Sequence, residues 1–272
     1  MAEEDIPDLS EIGIPSATGA GALALYFLVG PSLKAVGNAF GEWTQYRMRN
    51  LLRIDKKTQD RLAQLNTQPA QPSIHPRLAK DLVEDASWID DELQQDYYAG
   101  MLFSAIITET TEEAAYYARI ISALTPSQLR LHFAIYSAYR GSYDATAELQ
   151  FTRAGDLSAL SVRAPINSFR AACRAPDDMA SARGMGVATG GLAREGLIGR
   201  MGWIDREEKI YSIEPTLMGA SLFSLAMGYP AGIDIRRGVD YLNQEVPRFT
   251  APASEHTLTI IGAHIGDKWP TS

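Results

Sequence analysis

The sequence predicts a mostly α-helical protein: a long N-terminal helix, a central helical bundle and a C-terminal winged-helix-like module with one short β-hairpin. Three observations predict it. Apolar residues recur at helical spacing through the middle of the chain, helix-capping pairs punctuate it, and a single strand–turn–strand pattern, "WIDREEKIYSI", occurs near residue 205. With 272 residues and 46% apolar content, the chain is long enough to bury one large core or two small ones.

The N-terminal segment, residues 1–65, combines an acidic tail with an apolar run and an amphipathic helix. Residues 1–11 carry five acids and no base. This argues against a signal peptide, which opens on a basic region. Ile12 to Leu33 then holds no charged residue over 22 positions, long enough for a bilayer core, although glycines and prolines leave only "ALALYFLV" strongly apolar. Leu23, Leu25, Tyr26, Phe27, Leu28 and Val29 are therefore the candidate contact residues for a membrane or a protein partner. A helix is expected to run from about Ala20 or Leu33 to Leu65, followed by a linker over 66–73, "NTQPAQPS".

Residues 74–160 are expected to form the bundle, with helices in "HPRLAKDLVEDA", "DDELQQDYYAGMLFSAIIT", "EEAAYYARIISAL" and "PSQLRLHFAIYSAYR". In the second, Ile89, Leu93, Tyr97, Met101 and Ala105 recur every four residues, as a core-facing stripe does; Leu129, Phe133, Tyr136 and Arg140 do nearly the same in the fourth. Expected caps are Ser87 with Asp90 for the second helix, Thr110 with Glu113 for the third, and Thr125 with Gln128 around Pro126 for the fourth.

Residues 161–230 follow the order of a winged-helix module: a helix in "SFRAACRA", a helix through "GVATGGLAREG" closing at Gly196 or Gly199, and the hairpin with its polar tip at Asp205 to Lys209. A final helix, "LMGASLFSLAM", is capped by Thr216 and stopped by Gly228 and Pro230. Residues 231–272 form an extension whose "HTLTIIGAHIG" admits a strand or a short helix.

Chemistry is harder to find. A net charge of −8 opposes general attraction to phosphate polymers. Cys173 is the sole cysteine, which rules out an intramolecular disulfide and suits a reducing compartment. His75, His132, His256 and His264 lack metal-ligand spacing. Asp81, Glu84, Asp85, Asp90, Asp91 and Glu92 invite a divalent-ion or acid–base reading, but helix starts and exposed faces attract acids anyway. "GMGVATGG" lacks the Lys and Ser/Thr of a phosphate loop, and close helix packing explains its glycines better. The expectation is no catalytic residue, no cofactor and no metal. Arg183, Arg194 and Arg200, around the second helix of the winged-helix-like module, are the candidate nucleic-acid contacts of an alternative reading as a DNA-binding regulator.

The order "E-L-Q", a small-residue "A-x-x-L-x-x-A", then "I-x-x-L-T-P" resembles the abortive infection alpha family of bacterial proteins. The residues that carry it are Glu92, Leu93, Gln94, Ala99, Leu102, Ala105, Ile121, Leu124, Thr125 and Pro126. "GPSLKAVGNAFGEWTQYRMRN" is similar to the family's amphipathic lead helix, and "LAREGLIGRM" with "IYSIEPTLMGASL" to its C-terminal region. The chain departs from the pattern at Tyr97 and Tyr98, where a Trp is expected, and at Gly100, where an asparagine is. The resemblance implies a phage-defence protein that stops or kills the infected cell. Together with the apolar run, it leads to the expectation of a non-enzymatic effector or adaptor working through a protein partner or homo-oligomer and membrane contact, with a phage-derived trigger. The charge distribution and the apolar run set the expected location as the cytoplasm, peripheral to or spanning the inner membrane once.

Overall fold

The computed structural model describes residues 41–63, 78, 80, 84–108, 111–142, 161–172, 179–228 and 262–263. Among them the chain is mostly helical, with a small antiparallel sheet in its C-terminal part. In chain order come α1 (Gly41–Leu62), a 3-10 turn (Ala86–Trp88), α2 (Glu92–Thr108), α3 (Thr111–Ala123), α4 (Pro126–Ser142), β1 (Val162–Pro165), α5 (Ile166–Ala172), α6 (Met179–Arg194), β2 (Ile198–Asp205), β3 (Ile210–Pro215), α7 (Leu217–Ala226) and β4 (Gly262–Ala263). The apolar run with Leu23 to Val29, the linker, Thr110, Cys173, His75, His256 and His264 lie outside the described residues.

The helix α2 is the centre. Every residue from Leu93 to Ile106 is buried, so the stripe expected along Leu93, Tyr97, Met101 and Ala105 is one side of a helix covered on all sides. The expected capping pair, Ser87 with Asp90, does not form, and the cap lies at Asp91. Asp91, not Asp90, accepts a hydrogen bond from the Gln94 N–H (3.1 Å) and also pairs with Arg130, whereas the Ser87 hydroxyl is occupied by the Arg47 guanidinium (2.8 Å). Three consecutive acids, "DDE", offer the same local chemistry, and the one in register with the first turn and with Arg130 takes the role.

At α4 the expected capping box forms in full. The Thr125 N–H donates to Gln128 Oε1 (2.8 Å) and the Gln128 N–H to Thr125 Oγ1 (3.3 Å). The turn that ends α6 closes at Gly196 rather than Gly199: Gly196 adopts φ +69°, the Leu197 N–H reaches Leu192 O (2.8 Å) and the Gly196 N–H reaches Ala193 O (3.0 Å). Gly199 falls inside β2 instead. Thr216 caps α7 through the Gly219 N–H (3.0 Å), and Gly228, at φ +82°, follows its last turn.

The sheet runs β2-β3-β1-β4, antiparallel throughout. Its hairpin tip is the expected one: Asp205 Oδ1 accepts from the Glu207 and Glu208 N–H groups, and Lys209 at φ 58° turns the chain back. Gly262 and Ala263 pair with Arg163 and Val162, the strand alternative of the C-terminal extension. The largest apolar cluster takes Tyr97, Leu129 and Tyr136 from the expected bundle and Val162, Phe169, Leu192, Ile213 and Phe223 from the segment after residue 160, so one core crosses that boundary.

Helix α7 packs closest to α2 at Gly100, where a Cβ would lie 1.7 Å from Ala226 O and 2.3 Å from Arg61 Nη1. An asparagine there, as the family pattern has it, does not fit this packing. Gly100→Ala is expected to destabilise by about 2–3 kcal/mol through overpacking. Gly190→Ala, where a Cβ meets nothing within 4 Å, is expected to stabilise by about 0.5–1 kcal/mol through helix propensity. Paired denaturant titrations of the two variants check both signs.

Candidate interaction surface

Of the candidate residues, Arg183, Arg194 and Arg200 fall among the described ones, and all three are exposed. Arg183 and Arg194 stand 11 residues apart on α6, three turns, and so share a face with Val187 and Gly190. Val187 is 60% exposed, which makes it the most open large apolar side chain among the described residues. The inner face of α6 is Met185, Ala188, Thr189, Gly191 and Leu192, all buried. The glycines thus divide by face: Gly191 meets Gln128 at 1.9 Å from a built Cβ, while Gly186 and Gly190 open onto free space. Close packing explains only the first.

Arg200 lies on β2, with Met201 (36% exposed) and Trp203 (44%) beside it along the strand. Trp203 stands opposite Tyr211 on β3 with ring centroids 5.4 Å apart, edge to face. The structure does not make these arginines a uniform basic patch. Arg194 is paired with Glu195 (2.9 Å), and the hairpin tip exposes Glu207 and Glu208 as well as Arg206 and Lys209.

What holds this surface is a buried polar network that the sequence pattern does not reveal. The Tyr136 hydroxyl donates to Leu197 O (2.7 Å) and accepts from the Thr216 N–H (3.0 Å), which ties α4 to the turn after α6 and to the start of α7. Thr216 Oγ1 donates to Gly196 O (2.7 Å). Beside them His132, fully buried, lies between Gly219 O (3.1 Å from Nε2) and the Tyr97 hydroxyl (2.7 Å from Nδ1). A carbonyl only accepts, so Nε2 carries the proton and Nδ1 accepts from Tyr97. Gln128, already part of the α4 cap, also donates to Val187 O (3.4 Å) and fills the space over Gly191. The one sequence signal for this network is "LHFAIY", in which His132 and Tyr136 share a face of an otherwise apolar helix.

Burial sets the electrostatics of the interior. It pushes the Tyr97 and Tyr136 hydroxyls far up, Tyr117 up to about 12, and His132 down to about 3 against the pull of its bond to Gly219. All are neutral at pH 7. Asp96 is raised by burial, opposed by its bond to Lys57 (2.6 Å), and Arg61 is lowered by burial to about 10.

Asp81 of the acidic run lies outside the described residues, and three of the other acids go into ion pairs and a cap. Glu84 pairs with Lys80 (3.7 Å), Glu92 with Lys57 (3.7 Å) and Asp91 with Arg130. Among the described residues no group of three or more His, Cys, Asp or Glu side chains could hold a metal ion. No described helix is long and apolar enough to cross a membrane. Compared with known proteins, the chain matches no family model, no curated protein and no solved structure.

His132 gives a pH prediction. Its folded pKa lies below the unfolded value of about 6.5, so the unfolded chain binds the extra proton between roughly pH 6.5 and 3. Stability is therefore expected to fall as pH drops through that window, by up to about 1.4 kcal/mol per unit, with Asp96 opposing it near the lower end because its folded pKa is raised. Imidazole ¹⁵N spectra are expected to show His132 neutral down to about pH 4. Titration of all four histidines near the ordinary value would contradict the network.

Proposed function

We propose that the chain is a non-enzymatic anti-phage protein of the abortive infection alpha type, an effector or adaptor that acts through protein and membrane contacts. The observation that carries this reading joins the two halves of the resemblance. Gln94, from "E-L-Q", donates its Nε2 hydrogen to Ile121 O, from "I-x-x-L-T-P", in a buried bond of 3.2 Å. Leu93, Ala99, Leu102, Ala105, Ile121 and Leu124 belong to the same core cluster, and Thr125 and Pro126 open the next helix. Most residues of the resemblance thus serve the packing of α2 against α3, while Glu92 stays exposed and pairs with Lys57 on α1. Their work there is architectural, which suits a family pattern without catalytic residues.

The C-terminal part supports the winged-helix reading of the surface. Helix α4, β1, α5, α6 and the β2–β3 hairpin follow one another in the order of such a module, and β3 lies between β1 and β2 as its central strand. In that reading α6 is the presenting helix. An outer face of Arg183, Val187, Gly190 and Arg194, together with a partly acidic hairpin that exposes Trp203, suits a protein partner or a second copy of the chain better than a phosphate backbone. Exposed Arg183, Arg194 and Arg200 are what favours the alternative, a regulator that binds nucleic acid. In the membrane part of the proposal, Leu23, Leu25, Tyr26, Phe27, Leu28 and Val29 make the contact.

Bacteria expressing the chain are expected to plate phage at least tenfold less efficiently than vector controls, and Val187→Glu is expected to abolish the protection without lowering the melting temperature. A chain that gives no protection against a broad phage panel sinks the proposal. For the alternative, mobility shifts across a salt series decide: retention of duplex DNA that Arg183→Gln, Arg194→Gln and Arg200→Gln together remove would establish it.

A further inference from the structure

We propose that the outer face of α1, with the exposed aromatic pair Tyr46 and Trp88 beside it, is a docking surface for an anionic lipid bilayer. The inference rests on the membrane-contact part of the proposed function and names the lipid chemistry and the folded residues that meet it.

Helix α1 carries eight charged side chains from Arg47 to Arg61, and all but the half-buried Asp55 divide by face. Asn50, Leu51, Ile54, Thr58, Arg61 and Leu62 are buried inward. Three of the cations on this helix are engaged with the protein: Arg47 with Ser87 and the Trp88 ring (5.0 Å), Lys57 with Asp96, and Arg61 with Ala226 O (3.1 Å) and Asp96 O (3.2 Å). Arg49, Arg53 and Lys56 recur at i, i+4 and i+7 on the opposite side, all exposed. Met48 and Leu52, half-buried, flank that row, and Asp60 closes it at the C-terminal end.

Two further observations select a bilayer as the occupant. Tyr46 (37% exposed) stands one turn before Arg49 at the N-terminal end of this row, and its hydroxyl donates to Trp88 O (3.4 Å), whose own ring, 49% exposed, lies at the flank of the helix over Arg47. Such amphipathic rings favour the headgroup layer, where one part is wet and the other apolar. The cations also lie close in sequence to the uncharged run Ile12 to Leu33, with Arg49 and Arg53 following Leu33 by 16 and 20 residues. Basic residues at that distance from an apolar segment are held by the negative surface of the cytoplasmic leaflet. Three exposed cations on a chain of net charge −8 make a weak footprint for a phosphate polymer. For lipid headgroups they supplement apolar contact, and their long stems can lie along the interface.

The test is flotation of the full chain with vesicles of phosphatidylcholine alone or with one quarter phosphatidylglycerol. Binding is expected only to the anionic vesicles, and it should fall steeply as salt rises from about 0.1 M to about 1 M. Arg49→Gln, Arg53→Gln and Lys56→Gln together are expected to weaken it roughly 100-fold, with the thermal melt unchanged. Equal binding to neutral vesicles, indifference to salt, or unaltered flotation of the triple variant would falsify the inference, as would duplex DNA taking the place of vesicles at the same three side chains. Should the triple variant fold poorly, salt and lipid dependence of the parent chain decide alone. Phage plating run beside it separates the two readings. Protection without vesicle binding overturns this inference only, and vesicle binding without protection overturns the proposed function only.

Discussion

A helix buried on every side must find partners for every polar group it takes inside, because an unpaired one costs about 1–3 kcal/mol. Most of the described structure follows from α2 meeting that demand. Gln94 reaches Ile121 O and Tyr98 reaches Ala118 O on α3; Tyr97 reaches His132 on α4; Asp96 takes Lys57 on α1; Ser104 reaches Leu225 O on α7; and Gln95 turns back to Ile89 O. Apolar burial is indifferent to which neighbour supplies it, whereas these bonds each select one neighbour in one register. The core supplies the stabilisation and the polar groups supply the arrangement.

The same division of labour recurs one layer out. Gln128 caps its own helix and seats α6, and Tyr136 holds both the end of α6 and the start of α7. The surface that presents Val187, Arg183 and Trp203 is therefore fixed by side chains that never reach solvent. Its shape depends on α4, although α4 shows almost none of itself there. A change at His132 or Tyr136 acts on that surface at a distance, through the turn at Gly196 and the cap at Thr216.

Local chemistry is what the sequence makes legible. A capping box spans four residues, a Schellman turn needs one glycine, and a hairpin tip needs one Asx turn, so Thr125, Thr216 and Asp205 can be recognised without knowing the fold, and the turn narrowed to Gly196 or Gly199. The burial of α2 cannot. Its apolar period marks one side, while Gln94, Gln95, Asp96 and Ser104 look like a solvated face; Ser104 finds its partner 121 residues further along. For the same reason the glycines from Gly184 to Gly191 are indistinguishable in sequence, and only the position of Gln128 decides that Gly191 faces inward. Arg183 and Arg194 could be placed on one face by spacing alone, whereas the pairing of Arg194 with Glu195 depended on side-chain geometry.

One bond also sets an order in time. Arg61, at the end of α1, completes its contacts only at Ala226 O, 165 residues later in the chain. At roughly 5–20 residues per second of synthesis, the wait between the two is on the order of 10–30 s. A buried guanidinium without its acceptor is poorly accommodated, so α1 cannot settle into its final seat until α7 has left the ribosome. For that interval the nascent chain displays α1 with the seat of Arg61 still incomplete. Cellular factors that receive emerging apolar faces therefore meet the inward side of α1, with Leu51 and Ile54, before α7 can.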